Sequence, residues 1–160
     1  MNGCALGIML VGLAIVIAFD AESLGGGGIP VALAPASALV RRFAIAVTSF
    51  DYRHVRSEIA AIEAMGTDGF RKDFVQAMGP NFMTNIVSNQ TISTDQMIAG
   101  PSVQRVVGQV FQFFTLVNET VTSSSTSSTS GTPSSPMSIQ VGLLVEVNET
   151  SNRVQSVQVF

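Results

Sequence analysis

Charge is scarce in this chain of 160 residues: Asp, Glu, Lys and Arg make up 12% of it, against ~25% in an average soluble domain. It has one cysteine (Cys4), one histidine (His54), one tyrosine (Tyr52), one lysine (Lys72) and no tryptophan. A lone cysteine excludes an intramolecular disulfide and any cysteine-built zinc cage. A lone histidine likewise excludes a multi-histidine metal site within one chain, so no metal and no cofactor is expected. The net charge is -3 and there is no basic run, so the electrostatic footprint of a nucleic-acid surface is missing. A chain so poor in charge is either attached to a membrane or padded with uncharged polar residues. Both patterns are present.

The membrane pattern is "GCALGIMLVGLAIVIAF", residues 3–19. As a helix it would span ~26 Å, near the lower limit for a bilayer core. Asp20 and Glu22 end it, and residues 1–22 read as a transmembrane anchor. A cleaved signal peptide is the alternative, but the Ala32-x-Ala34 pattern lies well past the apolar run and no Lys or Arg precedes it. Cys4 comes before the apolar run, whereas a lipoprotein cysteine follows one, so no lipid anchor is expected. Residues 23–35, with four consecutive glycines and then Pro30 and Pro35, read as a hinge. The domain proper is then 36–160.

Within it Leu39, Phe43 and Val47 recur at helical spacing. The densest cluster of charge follows, from Asp51 to Asp73. Asp51 is placed to cap a helix carrying Val55, Ile59 and Ile62, Gly66 to stop it, and Thr67 with Asp68 to start the next. Phe70, Phe74 and Met78 continue a stripe through Phe82 and Ile86, across a kink expected at Gly79-Pro80. Most of the charges fall off the apolar stripes, where an amphipathic helix puts them.

After Asn89 the period shortens towards two. "MSIQVGLLVEV" alternates as a half-buried strand, and "RVQSVQVF" is a last strand entered through the turn "NETSN". "QTISTDQMIAG" reads as a weaker first strand ended by Gly100-Pro101. "VVGQVFQFFTLV" reads as a strand with a bulge near Gly108. Between the long strands, the Ser/Thr-rich segment 122–136 has no apolar side chain to bury and is expected to be a flexible loop. The fold class is therefore α+β, with helices packed on a four-stranded, mostly antiparallel sheet.

"AVTSFDYRHVRSEIAAIEAMGTDGFRKDF", residues 46–74, resembles a stretch that marks actinobacterial Mce-associated membrane proteins. Thr48, Phe50, Asp51, Tyr52, Thr67, Phe70, Arg71, Lys72 and Phe74 carry the resemblance, although Asp68 interrupts the usual Thr-Gly pair. The resemblance implies a cone of the nuclear-transport-factor or cystatin kind, similar to periplasmic scaffold domains of type IV secretion. It also implies an accessory role in Mce lipid importers, from the inner membrane with the C-terminal domain on the periplasmic, cell-wall side. Asp51, Tyr52, Phe70, Arg71 and Phe74 are the candidate docking or motif residues, and no catalytic residue carries over.

The leading expectation is thus a non-enzymatic, single-pass scaffold subunit whose partners are Mce complex subunits and the membrane, with self-association left open. An alternative is a binding module holding an acyl chain against Phe111, Phe113 and Phe114. A third is an enzyme in which Tyr52, His54 and Asp95 converge as acid, orienter and base. Tyr52 and His54 stand two apart, which puts them on different faces of a helix.

Overall fold

The computed structural model describes residues 33–124 and 135–160. The expected anchor, most of the hinge and most of the segment 122–136 lie outside them. Four helices come first: α1 (Leu33–Thr48), α2 (Val55–Met65), α3 (Asp68–Met78) and α4 (Phe82–Ser88). Four strands follow: β1 (Ile92–Val107), β2 (Val110–Thr122), β3 (Met137–Asn148) and β4 (Arg153–Val159). They form one antiparallel sheet in the order β1-β2-β3-β4. The α+β architecture is as expected. None of the described helices is long and apolar enough to cross a membrane.

Four boundaries differ from the sequence expectation. The hinge was expected to reach residue 35, but α1 already begins at Leu33. Pro35 lies in its first turn, where a missing N–H breaks no helical bond. The third and fourth helices are separate elements, not one kinked stripe. Gly79 closes α3 at φ 65°, a conformation open to glycine, and Pro80 follows it. Gly100-Pro101 does not end β1, which runs on to Val107 through several register shifts against β2. Gly108 marks the turn of the β1–β2 hairpin: Val107 pairs with Val110, leaving Gly108 and Gln109 as a two-residue loop.

Alternation along β2 and β3 builds the inner face. Phe111, Phe113, Thr115 and Val117 of β2 stand opposite Val147, Val145, Leu143 and Val141 of β3, and all are buried. Leu39, Val40, Phe43 and Val47 of α1 lie in the same core, with Ile62 from α2 and Phe70 and Phe74 from α3. Phe70 links two layers of this packing. Its ring meets Phe43 edge-on at 5.5 Å and stacks on Phe74 at 5.4 Å.

Candidate functional site

The first part of the stretch that carries the resemblance, residues 48–54, joins α1 to α2 and is fastened along the start of β1. The Phe50 N–H donates to Ser93 Oγ at 2.8 Å, and the Ser93 N–H donates to the Phe50 carbonyl at 2.7 Å. Ser93 Oγ donates in turn to the Thr48 carbonyl at 2.6 Å, and the Tyr52 N–H donates to the Thr91 carbonyl at 3.0 Å. Phe50 is buried, with its ring 5.4 Å from Phe82. This connection is a strap that pins the helices to an outer strand.

Asp51 does not cap α2. The helix starts at Val55 behind His54, which makes no side-chain cap bond. The Asp51 carboxylate turns instead to Arg53, accepting its backbone N–H at 2.9 Å and its guanidinium at 2.5–3.0 Å. Those hydrogen bonds hold the Asp51 carboxyl down at about 2. Glu58 accepts the Asp51 N–H at 3.0 Å, so the helix reaches back to the strap. Tyr52 is half-buried with Arg53 over its ring at 5.7 Å. Its hydroxyl has no hydrogen-bond partner among the described residues.

The second half of the motif is a joint as well. Thr67 caps α3 by accepting the Phe70 N–H at 3.2 Å, and the Thr67 N–H donates to the Val154 carbonyl of β4 at 2.8 Å. Arg153 donates to the Gly66 carbonyl at 3.1 Å. The α2–α3 turn is thereby tied to β4, at the opposite edge of the sheet from the strap. Phe70 and Phe74 are core residues, and Arg71 is an exposed partner of Asp68. Of the five candidate docking residues, Arg71 alone is exposed, its side chain 44% accessible.

Tyr52, His54 and Asp95 do not come together. His54 is exposed and its Nδ1 lies 3.8 Å from Asp51. Asp95 is engaged elsewhere: its Oδ2 accepts the hydroxyls of Thr48 at 2.5 Å and Ser49 at 2.6 Å. The proposed aromatic lining divides too. Phe111 and Phe113 are fully buried in the core, while Phe114 is on the opposite face of β2.

What the sheet does bring together is Asp95 and Glu119, register partners across β1 and β2. Both are in phase with inward-facing residues, and Glu119 is only 5% exposed. Burial, with the Asp95 carboxylate adding to it, pushes the Glu119 carboxyl up to about 7. Burial also raises Asp95, against the opposing hydrogen bonds from Ser49 and Thr48. Glu119 went unnoticed in the sequence. Its signal was a charge at the next inward position after Phe111, Phe113, Thr115 and Val117.

No family model matches the chain, and no curated protein does. Solved structures do. An IcmL-like type IV secretion system protein from Legionella pneumophila is similar with a TM-score of 0.64 at 13% identity, over 84% of this chain and 94% of that one. The periplasmic domain of DotI gives 0.57 at 15% identity, covering 84% and 99% of the two chains. VirB8 from Agrobacterium tumefaciens gives 0.57 at 14%, covering 84% and 96%. At such identities the likeness is one of fold. The α+β fold, helices on a four-stranded antiparallel sheet, is shared with these proteins.

Proposed function

We propose that this chain is a non-enzymatic scaffold subunit, anchored in the inner membrane by its N-terminal segment and docked through its periplasmic domain onto a larger transport assembly. The observation that carries this reading is what the motif residues do. Thr48, Phe50, Thr67, Phe70 and Phe74 join helices to both edges of the sheet or fill the core. They maintain a shape and present no reacting group. The solved relatives by fold include a domain described as periplasmic and proteins of secretion systems, which supports the same class of role.

The partner is the finer part of the proposal. The local resemblance at residues 46–74 favours an Mce-type lipid importer, whereas the likeness to secretion-system proteins is one of fold and names no complex for this chain. Affinity purification of the tagged full-length chain from native membranes, with mass spectrometry, separates the two. Mce subunits should co-purify and should fall in abundance when the gene is deleted. Recovery of secretion-system subunits in their place would keep the scaffold and replace the partner.

A further inference from the structure

We propose that Asp95 and Glu119 hold a single proton between them, and that this proton fastens the end of α1 and the strap to the β1–β2 pair. Two buried side-chain oxygens lack a hydrogen-bond partner among the described residues, Asp95 Oδ1 and Glu119 Oε2. They belong to the two acids that face each other across β1 and β2. Directly opposed residues have Cβ atoms ~4.5–5.5 Å apart, so the two carboxyl groups are within reach of each other. Two carboxylates there would repel, each with an unanswered oxygen in a poorly solvated place. One proton on Glu119, donated towards Asp95 Oδ1, provides a donor for one orphan and a carrier for the other.

Among the described residues, the groups around the pair leave it no other neutraliser. From α1 and the strap come the Thr48 and Ser49 hydroxyls, both donating to the far oxygen of Asp95. From β3, Ile139 stands opposite Glu119. The nearby charges on the strap and α2 are turned to one another, Asp51 to Arg53 and Glu58 to the Asp51 N–H. Asp95 is the one charge that bears on Glu119, and no Lys or Arg lowers either acid.

The consequence is a latch that weakens as the proton leaves. Both carboxyls are raised in the folded state, so the folded chain holds protons that the unfolded chain has released, and stability falls as pH rises. For Glu119 the window runs from the ordinary value of 4.5 to about 7. Across it the folded-to-unfolded ratio drops by about tenfold per pH unit, then levels off. Strap and β1 share the amides of Phe50, Tyr52 and Ser93, so these should exchange faster once the proton is gone.

The test follows the thermal midpoint of the full-length chain in detergent from about pH 5 to about pH 8, beside Glu119→Gln and Asp95→Asn. The wild type should lose several degrees relative to Glu119→Gln over that range, because a neutral amide can donate to Asp95 without titrating. Asp95→Asn should make the profile shallower without abolishing it, since burial alone still raises Glu119. Carbon-13 carboxyl titration of the wild type is independent of how the variants fold: one acid should titrate well above the ordinary range, coupled to a second. Variants that track the wild type at every pH, or carboxyls that all titrate as exposed acids do, would overturn the proposal. So would stabilisation by about 1 mM calcium chloride that Glu119→Gln abolishes, since the pair would then hold a cation.

Discussion

Gly66 and Gly69 stand three residues apart and should answer an added methyl group in opposite ways. A Cβ on Gly66 would fall 2.0 Å from Cδ1 of Phe70, a ring held between Phe43 and Phe74 with no space to yield. Gly66→Ala should therefore cost ~1–3 kcal/mol as an overpacked core. A Cβ on Gly69 meets nothing nearer than 4.0 Å, inside α3, so Gly69→Ala should stabilise by ~0.5–1 kcal/mol. Urea unfolding of the two variants checks the sign of each. Gly66 was legible as a helix stop, but for a different reason. It closes α2 at an ordinary φ of -95°, and its missing side chain is needed for Phe70. Thr67 was read correctly because a cap acts within its own turn. Asp51 was misread because a carboxylate has several N–H groups in reach, and Arg53 offered a charged one.

At the scale of elements, periodicity found the apolar stripes of the helices and the two last strands, because an amphipathic stripe is recorded in the residues themselves, but it ran α3 and α4 together as one kinked helix. The glycines were harder. Gly100, Gly108 and Gly79 all take positive φ, yet one lies within a strand, one turns a hairpin and one ends a helix. The difference lies in cross-strand register, which depends on residues far along the chain. Gly108 has φ 55° and open space around its Cα, so Gly108→Ala should cost ~1–2 kcal/mol through backbone strain alone, and Gly108→Asn should cost less. Had Gly108 been a negative-φ bulge, the two variants would unfold alike. The other end of β2 tests the Ser/Thr-rich segment. Val121 and Met137 are register partners, the spacing a two-residue turn requires. Replacing residues 122–136 with Asn-Gly should leave the far-ultraviolet circular dichroism and the thermal midpoint nearly unchanged. A collapse of either would make that segment a structural element.

For the whole molecule, the described residues form one continuous core that runs from α1 to the sheet. Ala36, Leu39, Val40 and Phe43 of α1 are buried against the sheet and the other helices, and the two joints, strap to β1 and α2–α3 turn to β4, hold both edges. A chain beginning at Leu33 should accordingly fold as a soluble, cooperative domain. It should still fail to support its assembly. A docking surface of modest affinity works when an anchor keeps it near its partner, because tethering replaces bulk concentration with a local one that is commonly millimolar. Cells expressing the untethered domain at normal levels should show the partner subunits depleted as in the deletion strain, and strong overexpression should recover part of the loss by mass action. Fusing the domain to an unrelated single-span helix through the same residues 23–32 should restore the partners fully if the anchor's role is positional. Full rescue by the soluble domain at normal levels would make the membrane segment dispensable. Failure of the unrelated helix to rescue would make residues 1–22 a contact in their own right.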